Sequence, residues 1–404
     1  MNYNLYIKEV KQEKTTKGVD ISFLIQIKEK EYLLKYVVTA DVTELCDRAD
    51  GVVVTFLLYA MKYGMNIYSD IPISEKLYYQ LTYHVIPQIH YCNPDKTTPI
   101  KIIAPLSDEV YNGNWVGTGI SCGVDSFSTI KEYTEDCELA NYKITHLCYF
   151  KTGAHHGDIG RFDKQIEDKL FAEELEKAKE FCEKENFEMV IVESNLHEIC
   201  CDAFSHVYDI THTYRSAGVM LLLQKQFNKY YYASGDHNVD EVIVNVDNDS
   251  AKYEKWLLPL LSNESIAFYS ANKATKRIEK VEYISNWAPT YDRLSVCWSA
   301  SNNCCKCRKC IRTMVALDLV GKLDCYSQSF DLEFYQKNKR KFMREIVALR
   351  SIDCSYQDIY LYMKKHHIKM PNSLMVFVVK VKFILKTVFK LGFKEFFARL
   401  RTKF

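Results

Sequence analysis

Two stretches near the start of the chain, Val19-Asp20-Ile21-Ser22-Phe23-Leu24-Ile25 and Tyr32-Leu33-Leu34-Lys35-Tyr36-Val37-Val38, place apolar side chains at largely alternate positions. A period of two is what a strand with one buried face requires. From Gly51 to Tyr63, and again from Glu75 to Ile89, the apolar positions recur at helical spacing. After Ile100 the two periods take turns: Lys143 to Phe150 reads as a strand, Phe162 to Asn186 as a charged amphipathic helix and Phe187 to Glu193 as a strand. A helix from about Arg215 to Phe227 and the strand Tyr230 to Ser234 follow. This rhythm predicts an α/β fold with a doubly wound parallel sheet, covered by helices on both faces. The expected division is an accessory α+β domain over residues 1–110, a central domain over 111–325 and a helical C-terminal region over 326–404.

The pattern changes again at the end of the chain. Asp331 to Lys365 is helical and charged, and beyond it Lys382, Lys386, Lys390 and Lys394 form one stripe of a helix while Phe377, Ile384, Val388, Leu391 and Phe396 lie largely opposite. A basic stripe against bulky apolar residues suits an interfacial helix on an anionic membrane. It equally suits a helix packed on the body or in a homodimer.

Charge sharpens this picture. From Pro371 to Phe404 there are six Lys, two Arg and one Glu, a local charge of +7, so the net +1 of the chain leaves −6 for the rest. The body is not a nucleic-acid binder by charge, and none is expected as a partner. Fifteen cysteines without an apolar leader at Met1 to Glu9 suit a reducing cytoplasm, with peripheral contact at the inner face of the membrane as the tail's further expectation.

The chemistry begins at Gly119-Ile120-Ser121-Cys122-Gly123-Val124-Asp125-Ser126-Phe127. Small residues lead into Phe127 to Tyr133, whose spacing is helical, so the loop is placed at a helix N-terminus. Free N–H groups and the helix dipole favour anions there, and small residues let a phosphate approach the backbone. Ser121 and Ser126 add hydroxyl donors; Asp125 could hold Mg²⁺ or cap the helix. The loop lacks the Gly-Lys-Ser/Thr ending of common nucleotide triphosphatases.

Other segments fall beyond the carboxyl ends of the expected strands, where ligands of open α/β sheets collect. They hold His155 and His156, Ser194-Asn195 and Gly235-Asp236-His237-Asn238. Arg215 opens a helix near the same edge, to bind an anion or simply to be exposed. In the basic run from Asn272 to Lys280, either Lys276 or Arg277 is a candidate cation for a departing pyrophosphate, against the alternative of a solvated helix face with Glu279 paired locally.

A second cluster is Cys304, Cys307 and Cys310, spaced Cys-x-x-Cys in succession, with Cys297 upstream across six intervening residues. Four thiolates make a closed structural zinc site. Buried free cysteines and an iron–sulfur cluster are the alternatives, and Cys305 could replace Cys304 by spacing alone.

The loop resembles the Ser-Gly-Gly-x-Asp-Ser motif of the ATP pyrophosphatase (PP-loop) superfamily, matched by Ser121, Gly123, Asp125 and Ser126, with Cys122 in place of the first glycine. Together with the cysteine knot, over residues 112–325, the chain looks like the 7-cyano-7-deazaguanine synthase family. That resemblance implies adenylation of a carboxylate by ATP, displacement of AMP by ammonia, a pyrophosphate site at Ser121, Cys122, Gly123, Val124, Asp125 and Ser126, and structural zinc at the four cysteines. Asp125, Lys276, Arg277 and Arg215 are the expected catalytic residues, ATP, Mg²⁺ and Zn²⁺ the expected ligands, and a small molecule the substrate. The family's members lack the N-terminal domain and the basic tail, and its deazaguanine-contacting segment has no clear match near residues 236–260. The knot is also similar to that of bacterial PP-loop proteins linked to surface-polysaccharide genes. Sulfur transfer through Cys122 or Cys305, and a nucleotide-binding scaffold at the membrane without catalysis, are the competing readings.

Overall fold

The computed structural model describes residues 3–155, 163–204, 208–235, 244–272, 274–298 and 300–391. Strands β1 (Asn4–Lys14), β2 (Gly18–Ile27) and β3 (Lys30–Thr39) form an antiparallel meander. Its alternation decides its faces: Val19, Ile21, Phe23, Ile25 and Ile27 of β2 and Leu34, Tyr36 and Val38 of β3 are all buried. Helix α1 (Asp50–Tyr63) is buried on nearly every side and stops at Gly64, whose φ of 65° is a left-handed cap that glycine adopts without strain. Short strands β4 (Asn66–Ser69) and β6 (Ile102–Ile103) lengthen the main sheet, while β5 (Ile73–Ser74) and β7 (Leu106–Ser107) pair apart from it. The single helix expected from Glu75 to Ile89 is α2 (Glu75–Gln80) and α3 (Ile86–Cys92), separated by a π turn over Leu81–Val85.

The second half of the sheet is parallel. It contains β8 (Trp115–Gly119), β9 (His146–Lys151), β10 (Glu188–Ser194), β11 (Phe227–Ala233) and β12 (Ala267–Ala271). Between them run α4 (Val124–Glu132), α5 (Lys164–Glu185), α6 (Leu196–Ala203), α7 (His212–Leu222) and α8 (Glu254–Leu260). Among the described residues the sheet has ten strands, in the order β12-β11-β8-β9-β10-β3-β2-β1-β4-β6, and six of its nine pairings are parallel. Tyr133, just past α4, stacks on Tyr231 with ring centres 3.7 Å apart, whereas His212 of α7 bonds the neighbouring Tyr232. Adjacent strand residues face opposite ways, so helices cover both faces.

Helices α1 and α7 approach closely because glycines meet at their crossing. A Cβ on Gly51 would lie 2.4 Å from the Gly218 carbonyl oxygen, and one on Gly218 would lie 2.1 Å from Thr55 Oγ1.

The chain divides into two compact units, Met1–Ala274 and Thr275–Phe404. The first holds the whole sheet. The second is helical, with α9 (Arg277–Ile284), α10 (Arg308–Leu319), α11 (Leu332–Leu349), α12 (Cys354–Lys365) and α13 (Ser373–Leu391). The expected boundaries near 110 and 325 are not those of the compact units. The antiparallel ladder between β3 and β10 carries one sheet across the first, and the packing of α10 on α11 and α12 crosses the second. Among the described residues no helix is long and apolar enough to cross a membrane.

Candidate functional site

The chain passes from β8 to β9 and β10 on one side, then returns to place β11 and β12 on the other. The carboxyl end of β8 is therefore where the strand order reverses, and a crevice there is the usual ligand position in an open α/β sheet. The expected loop leaves β8 at this point. Ser126 Oγ gathers it, lying 3.2 Å from Ser121 Oγ, accepting from the Gly123 N–H at 3.1 Å and donating to the Gly123 carbonyl. The first helical bond runs from Phe127 N–H to Gly123 O, so the N–H groups of Val124, Asp125 and Ser126 precede the helical ladder and stand at its positive end.

Cys122 occupies the position where glycine is expected, and its backbone explains that expectation: its φ is +52°, in the left-handed region. Its side chain is buried, as is that of Val124; Ser121 is exposed, and Gly123 and Asp125 are half-buried. The thiol therefore turns into the protein and does not obstruct the loop. Cys305 is also buried and accepts from the Asp331 N–H. Neither thiol is presented in the exposed, electropositive setting that a sulfur carrier uses.

Arg215 requires a correction. It was expected at the edge of the sheet, but it has no exposed surface. It donates to Thr211 Oγ1, the Thr152 carbonyl and the Tyr59 hydroxyl, and meets His197 Nδ1 at 3.2 Å. Gly153, at φ +113°, passes so close that a Cβ there would lie 2.8 Å from Arg215 Nη1. Arg215 is thus a brace for the turn after β9 and is not displayed to a phosphate. His155 is buried and bonds Glu174 and the Phe150 carbonyl, and Asn195 is tied to Leu33 and Lys35 of β3. Lys276, exposed, and Arg277, half-buried, belong to the second unit, where the Glu279 carboxylate caps α9 through the Lys276 N–H. His156, Asp236, His237, Asn238, Lys273, Lys394 and Phe396 lie outside the described residues.

The four-cysteine cluster assembles within the second unit. The sulfurs of Cys297, Cys304, Cys307 and Cys310 all lie within 4.8 Å of one another, and three of the separations are 3.5, 3.9 and 4.0 Å. Four thiolates around zinc at ~2.3 Å in a tetrahedron stand roughly 3.8 Å apart, so the group could hold a metal such as zinc. Backbone N–H groups of Lys306 and Cys307 point at Cys304 Sγ, and that of Cys310 at Cys307 Sγ, which favours thiolates. Hydrogen bonding, first from Cys310, holds the Cys307 thiol well below its ordinary value. Cys305, at φ +57°, turns away, which resolves the choice between it and Cys304. Asn303, which the sequence did not single out, clamps the centre by bonding Val296, Leu294 and Ser329.

No family model, curated protein or solved structure matches the chain.

A polar group not foreseen lies at the carboxyl ends of β11 and β12. His212 bonds Tyr232 at 2.5 Å and Asp249 at 2.7 Å, and Ser270 donates to the fully buried Glu254 at 3.1 Å. Burial pushes the Glu254 carboxyl up to about 7 against hydrogen bonds from Ser234 and Ser270. These residues are scattered along the sequence with no common spacing. Only the placement of α7 and α8 against β11 and β12 brings them together.

Proposed function

We propose that this chain is an ATP-dependent adenylating enzyme with a doubly wound core of the PP-loop kind. A carbonyl or carboxylate oxygen of a small molecule attacks the α-phosphorus, pyrophosphate leaves, and a nitrogen nucleophile then displaces AMP. The observation that carries this reading is the placement of the loop Ser121–Ser126 at the end of β8, opening α4 where the strand order reverses. The N–H groups of Val124, Asp125 and Ser126 and the Ser121 hydroxyl would receive the pyrophosphate oxygens as they gain charge. Asp125 would hold Mg²⁺, which neutralises phosphate charge. Arg215 is assigned to holding the turn after β9. The four-cysteine centre, with all four positions filled by protein, is proposed as structural zinc with no part in the chemistry.

The test is nucleotide analysis after incubating the whole protein with Mg-ATP, ammonium and a small-molecule filtrate of the cells that make it. AMP and pyrophosphate should form with the filtrate, and Asp125→Ala should lower the rate by roughly a hundred-fold or more. Production of ADP, or ATP binding with no turnover in any fraction of the filtrate, would overturn adenylation in favour of a nucleotide-binding scaffold.

A further inference from the structure

Helix α13 has two apolar faces and uses one. Val376, Val379, Phe383 and Thr387 lie a turn apart along the side that packs toward α11, and Phe383 comes under the Arg308 guanidinium, 5.9 Å from its ring centre. The opposite side repeats at Leu374, Phe377, Val378, Val381, Ile384 and Leu385, the spacing of a continuous helical stripe. It is left open: Leu374 is 68 %, Phe377 63 % and Leu385 51 % exposed. Large unpartnered side chains at every turn mark a surface that something covers.

Charge selects the occupant. At 3.6 residues per turn, Lys380 and Lys382 fall on opposite flanks of the stripe, each about a quarter turn from its centre, with Lys386 beyond Lys382. No Asp or Glu occurs from Ser373 to Leu391. A partner helix or second copy that covered this stripe would bring the lysine rows of both molecules together without acids to pair them, whereas an anionic lipid surface accepts both features. The apolar stripe enters the acyl boundary and the lysines reach the headgroup phosphates. Asn372 fixes the start of the helix by accepting from the Leu374 and Met375 N–H groups, so the stripe exists before any membrane is met.

We propose that α13 is a membrane-surface helix that docks the protein in-plane on anionic lipid. This assignment is independent of the loop and its chemistry. It is tested by co-sedimentation of the full chain with vesicles of phosphatidylcholine alone or with phosphatidylglycerol added. Binding should require the anionic lipid and weaken with salt. Lys380→Glu/Lys382→Glu/Lys386→Glu and Phe377→Ser/Leu385→Ser should each reduce it by about ten-fold or more. The altered side chains are exposed, so circular dichroism should be unchanged, and a folded protein that ignores anionic vesicles overturns the proposal. So does binding that persists in both variants, or a concentration-dependent dimer, seen by light scattering, that Phe377→Ser/Leu385→Ser dissolves while vesicle binding is absent.

Discussion

A carboxyl group with no exposed surface, faced by the hydroxyls of Ser234 and Ser270, titrates on terms set by burial. The Glu254 value near 7 lies above the ordinary 4.5, so between these pH values the native state keeps a proton that the unfolded chain releases. Raising the pH through this window therefore removes stability, on the order of 3 kcal/mol, and the whole cost is present above about pH 7. Urea melts from pH 5 to 8 should show Glu254→Gln with a flatter pH response than the parent and greater stability at pH 8. A variant that follows the parent slope would place the ionisation elsewhere. Residues of this kind were not legible in the sequence. Ser121 to Ser126 could be read because six consecutive residues carry the loop, but Glu254, His212 and Asp249 meet only through the placement of α7, α8 and β11. Arg215 was legible as a cation near a helix start; its burial depends on Tyr59, a residue of α1 far earlier in the chain.

Periodicity read the elements well where one face is buried. It found β2, β3, α1, α5 and the strands β9, β10 and β11, but it named neither β8 nor β12. The outer half of β1, Glu9 to Lys14, is mostly exposed and carries Lys, Glu and Gln, so its strand character rests on the pairing with β2 and not on composition. The contact between α1 and α7 left only the faint signal of two glycines. It is nonetheless exacting, since a methyl group on Gly218 meets Thr55 and the Gly51 carbonyl. Gly218→Ala should cost about 1–3 kcal/mol in chemical denaturation. Gly235→Ala, where nothing lies within 4 Å of the added carbon, is the matched control and should change little. Equal effects at both sites would remove the crossing as the cause.

The molecule as a whole places its sheet in one unit and its cysteine centre in the other. Metal removal should therefore loosen the second unit selectively. After chelation, hydrogen exchange should rise around Leu294 to Leu319, where α10 begins on Cys307, and remain slow in β8 to β12. Cys304→Ser should lower the bound zinc measured by elemental analysis, and Cys305→Ser should not. Exchange that rises first in the sheet would contradict this division. The ladder between β3 and β10 carries a further consequence, for synthesis. Thr39 pairs with Ile191 and Tyr36 with Ser194, whereas the ladders of β1 with β2 and of β2 with β3 join near neighbours along the chain. During translation the meander can close early, while the outer edge of β3 must wait, its peptide groups open, until β10 has left the ribosome. The ribosome thus holds a half-built sheet with a template edge, and a pause before residue 194 would lengthen the time in which that edge can recruit the wrong strand.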